Sequence, residues 1–198
     1  MAIPALDPRY AADRIIQRQL MAQAEREALA VLPDLAGLSR DEAAGVVRTA
    51  ARGLMDRYRA VAEVAAAERY ARIRRGLVPN AGEIALQPNG VLPSELLDDV
   101  VDAVIARWVD GNQDSVRKVF ANKIGTRSVD SYRESVLSLT NQDRVSVQAV
   151  RTASPSACIY CQSNSGQVIS SYADEVYALE GDEAAFHDNC TCIIEVQF

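Results

Sequence analysis

The chain has one histidine, one tryptophan and three phenylalanines in 198 residues, and aromatics make up only 6% of it. So little aromatic surface argues against a sheet-dominated core. A hydrophobic content of 48% that leans on alanine suits helices packed closely through small side chains instead. No run approaches the roughly 20 apolar residues of a membrane span, and the start of the chain has no basic segment followed by an apolar signal core. The expected starting compartment is the cytosol, where thiols stay reduced. Neither G-x-x-x-x-G-K-[ST] nor G-x-G-x-x-G occurs, so nucleotide phosphates have no evident cradle. With a single histidine, an H-E-x-x-H hydrolase is excluded. The zinc-deaminase pattern fails as well, since C-x-x-C comes before the histidine and no glutamate stands two residues after it.

The few soft ligands present are gathered together. Cys158 and Cys161 form the only C-x-x-C, in CIYC, and the segment FHDNCTC holds His187, Cys190 and Cys192. Four cysteines beside a histidine in a reducing compartment point to metal rather than to two disulfides. A structural zinc takes four ligands in a tetrahedron, commonly two from a tight C-x-x-C turn and two from a distant segment. The second segment offers one ligand more than required. His187 and Cys190 complete a Cys3His site, and Cys192 can replace either of them, because residues 190 and 192 point the same way on an extended segment. Scattered buried cysteines are the structural alternative. A Cys-His hydrolase, with Cys158 or Cys161 attacking and His187 as base, is the enzymatic one.

Upstream the patterning is helical. Residues 7–32 contain no glycine and only one proline, at the start, and Pro33 follows. Ser39-Arg40-Asp41-Glu42 has the form of a capping box and predicts a second helix running to Arg75, with Gly76 as a left-handed cap. Its apolar positions Val47, Ala51, Leu54, Tyr58, Val61 and Ala65 alternate spacings of four and three, a seam suited to an antiparallel hairpin against the first helix. The Gly-, Pro- and Asn-rich stretch 76–93 reads as a loop or short hairpin. Helices follow over 94–110, 113–124 and 128–139, with Gly111 and Gly125 as stops. From residue 144 the period changes. RVSVQAV predicts a half-buried strand, and GQVIS and CIIEVQF two more. The expected fold is mainly α: an elongated helical body over 1–143 and a small α/β module over 144–198, too small to bury much apolar surface and therefore the place where bound zinc contributes most.

The net charge of −6 is uneven. Residues 1–75 carry 13 arginines against 10 acids, whereas the rest carries 8 basic residues against 17 acids. In Arg69-Tyr70-Ala71-Arg72-Ile73-Arg74-Arg75 a tyrosine interleaves with four arginines, a pattern able to touch phosphate, though cations at a helix C-terminus are equally explained by the macrodipole. A zinc-stapled nucleic-acid-binding regulator is therefore a second functional class to weigh.

The order of DRVSVQAV, CIYC, SGQV, FHDNCTC and a terminal strand resembles the C-terminal module of the phage Mu F-like minor head proteins, the phage head morphogenesis family, in which C-x-x-C is followed by H-x-N-C-x-C. The likeness covers about the last fifty-five residues closely; upstream it extends only to an alanine- and arginine-rich helical character. The resemblance implies a minor virion protein of a tailed phage or prophage, made in the host cytoplasm and placed inside the head near the portal. Its partners would be the portal, the major capsid protein and, in some relatives, packaged DNA, with no membrane, no small-molecule substrate and no enzymatic activity. The implied zinc ligands fall on Cys158, Cys161, His187, Cys190 and Cys192. Two positions depart from the pattern: Asp188 stands where a proline often follows the histidine, and Thr191 where a basic residue lies between the last two cysteines. The enzymatic domains that some relatives append after this module are expected to be missing.

Overall fold

The computed structural model describes residues 8–80, 82, 84–85, 94–109, 111–145, 148–153, 157, 159–169 and 192–198. Among them the elements follow in the order α1 (Pro8–Val31), α2 (Arg40–Leu77), α3 (Ser94–Val109), α4 (Gln113–Gln142), β1 (Gln148–Thr152), α5 (Ile159–Ser163), β2 (Val168–Ile169) and β3 (Ile193–Gln197). The protein is mainly helical with a small antiparallel sheet toward its C-terminal end, as the alanine-rich composition and the late change of period predict. None of the described helices is long and apolar enough to cross a membrane.

Local chemistry sets several helix ends where the sequence predicts them. At the start of α2 the Glu42 carboxylate accepts from the Ser39 amide at 2.8 Å and from its hydroxyl at 2.7 Å, while Ser39 Oγ accepts from the Glu42 amide at 3.3 Å. This is the reciprocal capping box, and its hydrogen bonds hold the Glu42 carboxyl below the usual range. Gly111, with φ at +73°, ends α3, and Asn112 Oδ1 then caps α4 by accepting from the Ser115 amide at 2.9 Å.

Two expected stops are not stops. Helix α2 runs through Gly76 to Leu77 and gives way at the turn beginning with Pro79, whose ring cannot continue a helix. Helix α4 continues without a break through Gly125. A Cβ at residue 125 would lie 2.8 Å from Glu25 Cγ and 3.1 Å from Met21 Cγ, so this glycine serves the close approach of α1 and not a turn. Gly125→Ala is therefore expected to forfeit the ~1 kcal/mol that alanine ordinarily gains over glycine inside a helix, and to destabilise the protein. Gly53→Ala, where an added Cβ meets nothing, should realise that gain. Thermal melts of the two variants beside the parent check the contrast.

The buried stripe of α2 also departs from its expected path. Val47, Ala51, Leu54 and Tyr58 are buried as predicted, but the stripe continues through Ala62, Ala66 and Tyr70, leaving Val61 exposed. A straight helix of 3.6 residues per turn drifts away from a strict heptad, and here the drift shifts the seam by one residue after Tyr58.

The chain forms two compact units, one of Met1–Gln17, Glu63–Pro88 and Tyr132–Phe198, the other of Arg18–Ala62 and Asn89–Ser131. In the second, α1 turns back through residues 32–39 into α2, where the Glu27 carboxylate accepts from Arg57 and, at 2.7 Å, from the Tyr58 hydroxyl. Asp99 takes Arg127 at 2.7 Å and Lys123 at 3.3 Å; against the push of burial these cations hold its carboxyl below the ordinary range.

The first unit holds the sheet, with strand order β2-β1-β3 and both pairings antiparallel. In β1, Val150 pairs with Val168 and Glu195, and Arg151 with Ile194. The described strand, Gln148–Thr152, covers the end of the run RVSVQAV, whose first residues, Arg144 and Val145, lie in a bend. Ala149, Val150 and Arg151 are all buried in place of the expected alternation, so both faces of β1 are covered here. The other two strands fall within GQVIS and CIIEVQF. Ile73, Ile193 and Phe198 pack together, and the Phe198 ring lies 6.0 Å from that of Tyr70.

Candidate metal centre

Arg151 is the fourth of the five residues of the middle strand, with its side chain completely buried. Its backbone is fixed from both directions: the Arg151 amide donates to Gln167 O at 2.9 Å, and its carbonyl accepts from Gly166 N at 2.8 Å. Gly166 reaches that carbonyl with φ at +93°, a conformation that favours glycine. The turn carrying it follows directly on α5, so the register of β1 also places α5. Within α5, Ile159 is exposed and Cys161 is buried. The helix is tied by Gln162 Nε2 donating to Ala157 O at 2.7 Å and by Ser163 Oγ donating to Ile159 O at 3.0 Å.

Cys192 comes to the same place from the other end of the segment. It immediately precedes β3, whose first residue, Ile193, is opposite Thr152. The Cys192 carbonyl accepts from Arg133 Nη2 of α4 at 2.9 Å in a buried contact. Arg151 Nη2 then donates to Cys161 Sγ at 3.3 Å and to Cys192 Sγ at 3.9 Å. Both side chains are buried.

Two of the five predicted ligands are thus brought together across 31 positions of sequence, around one guanidinium. Cys158, His187 and Cys190 lie outside the described residues. Among the described residues no group of three or more His, Cys, Asp and Glu side chains converges. The donor type of the pair suits a thiophilic metal, since cysteine sulfurs are the usual ligands of structural zinc, but two sulfurs are half of the four it takes. Cys161 and Cys192 would hold such an ion, which would supply a covalent tie between α5 and β3.

Sequence reasoning missed Arg151 and Arg133. Nothing local marks Arg151, because in QAVRT it reads as an exposed strand position until the strand is seen in the middle of the sheet.

The arginine-rich run of α2 meets a different fate from the one its sequence invites. Arg69 is buried and pairs with Asp13 at 2.9 Å, and Asp13 also accepts from the Tyr132 hydroxyl at 2.5 Å. Burial pushes the Asp13 carboxyl above its ordinary range, with Tyr132 and Arg69 offsetting part of the effect. Burial and the neighbouring Asp13 charge push the Tyr132 hydroxyl well up. Arg74 donates to Asp143 through Nε at 2.6 Å and Nη2 at 3.2 Å, and the Tyr70 hydroxyl adds a bond at 2.9 Å. Only Arg72 and Arg75 of the run face solvent. A cavity of about 320 Å³ beside Arg74 is lined by Ala67, Tyr70, Arg75, Ile84 and Leu139 among others, and neither described cysteine borders it.

No curated protein and no solved structure matches the chain. One family model does: that of the VG15 protein, over residues 7–198.

Proposed function

Since this chain belongs to the VG15 family, a family of viral proteins, we propose that it is a minor structural protein of a tailed-phage or prophage head, acting in head morphogenesis near the portal. The observation that carries the reading is the meeting of Cys161 and Cys192 around Arg151. It joins the two halves of the C-x-x-C and H-x-N-C-x-C pattern on which the likeness to the Mu F-like head proteins rests. In this reading zinc is structural, held by four of Cys158, Cys161, His187, Cys190 and Cys192, and the helices supply docking surface for portal or capsid protein. No catalytic role is assigned. The nucleic-acid regulator, motivated by the arginine-rich N-terminal half, loses two of those cations, because Arg69 and Arg74 are committed to Asp13 and Asp143. Contact with packaged DNA would have to use other cations, such as Arg72 and Arg75.

The test is quantitative mass spectrometry of this chain's peptides in DNA-filled particles and in empty precursor heads, with the major capsid protein as reference. A few copies in both are expected. Presence in filled particles alone would favour a late-added, DNA-associated component. Absence from both would overturn the virion assignment.

A further inference from the structure

We infer that the open groove between α1 and α2 in the first unit is a self-association surface, on which a second copy of this chain docks with its α2 antiparallel and its Arg72 opposite Glu68. The groove has a volume of about 270 Å³ and is lined by Ala12, Ile15 and Ile16 of α1 and by Ala65, Glu68 and Arg72 of α2. Arg69 also borders it but is committed to Asp13. Two large apolar side chains stand at this surface, Ile15 at 56% exposure and Val64, next to Ala65, at 60%. Either alone would be an ordinary surface residue, but beside an open alanine-walled groove they form a face that gains from being covered. No metal is needed for this, and it holds whether or not the chain enters a virion.

The charges at the groove select the occupant. Glu68 and Arg72 are exposed and about one helical turn apart, yet neither makes an ion pair or side-chain hydrogen bond among the described residues. Along α2 the order is apolar, acid, base. In a two-fold pair every contact occurs twice with the roles exchanged. With the two α2 helices antiparallel and the axis at the level of Tyr70, Glu68 of each copy meets Arg72 of the other, and both charges are answered. A parallel pair would set Glu68 against Glu68 and Arg72 against Arg72, which disfavours it. The next turn outward fits as well, because Val64 and Ala65 come level with Gly76 and Arg75 of the other copy. A Cβ at Gly76 would meet nothing within 4 Å, so this helical glycine serves no close contact inside the chain and leaves room for the valine. The aliphatic stem of Arg75 can cover the alanine.

Sedimentation equilibrium of the full chain over a concentration series reaching the millimolar range is the test. The parent is expected to pass from monomer to dimer. Glu68→Arg and Arg72→Glu each set two like-charge pairs across the axis and should weaken dimerisation about 10-fold or more. An equimolar mixture of these two single variants should regain the parent's affinity, because each then meets its complement, and so should the double variant. Both side chains are exposed and unpaired, so all of these variants should melt like the parent. Val64→Asp should weaken dimerisation without altering the melt. A parent that stays monomeric throughout the series would overturn the assignment. A dimer indifferent to Glu68→Arg and Val64→Asp uses another surface and would overturn it too. Dimerisation lost in the single variants and not regained in their mixture would sink the antiparallel pairing on which the assignment rests.

Discussion

Asp143→Ala is expected to destabilise the protein by about 3–5 kcal/mol, the cost of removing one partner from a buried ion pair. Asp143 directly follows α4 and gathers four donors: Nε and Nη2 of Arg74, the hydroxyl of Tyr70 and the amide of Val145 at 3.0 Å. Alanine would leave the Arg74 guanidinium and the Tyr70 hydroxyl without that acceptor in the interior of the first unit. Asp143→Asn keeps the shape and one acceptor oxygen and should cost less. Urea titrations followed by far-ultraviolet circular dichroism measure both, and a loss under about 1 kcal/mol in the alanine variant would show that Arg74 readily finds another partner.

The same carboxylate carries a pH dependence with a definite sign. Against the push of burial, Arg74, Val145 N and Tyr70 hold Asp143 below the ordinary carboxylate range. Its folded pKa is depressed, so its contribution is fully present above the unfolded value of about 3.9 and is lost as pH falls through the folded value. Asp13 acts oppositely: its folded pKa is raised, so its contribution is present below the unfolded value and is lost as pH rises through the folded one. Asp143→Asn should therefore flatten the loss of stability on acidification, and Asp13→Asn should steepen it.

Removal of metal is the second large effect expected. Under a strong chelator, or in Cys161→Ser, amide protons of 148–169 and 192–198 should exchange much faster, while the helical circular dichroism changes little. Structural zinc in small modules contributes on the order of 10 kcal/mol, and β1, α5, β2 and β3 are short elements with little apolar surface of their own. The long helices have their own buried stripe and, at the start of α2, a capping box. Exchange rates unaltered by chelator would show that Arg151, Arg133 and the sheet hydrogen bonds suffice without an ion.

Much of the helical architecture is legible along the chain, because the interactions that start and stop a helix lie within a few residues of one another. Ser39 and Glu42 meet across three positions, and Gly111 and Asn112 end one helix and cap the next. Gly125 misleads for the opposite reason, since its role is set by Glu25 and Met21, a hundred residues away. The arginine-rich run misleads likewise: Arg69 and Arg74 resemble a phosphate-binding face until Asp13 and Asp143 are seen opposite them.

At the candidate centre the division is sharper. The sequence by itself determined which residue types are present and that they cluster in the last quarter of the chain, since spacing is a covalent property. Only the tertiary structure decided that Cys161 and Cys192 share a volume and that Arg151 stands between them. That meeting depends on the antiparallel register of β1 with β3 and on the turn at Gly166, and strand pairing is a long-range choice made by the burial of apolar side chains, which no local pattern encodes.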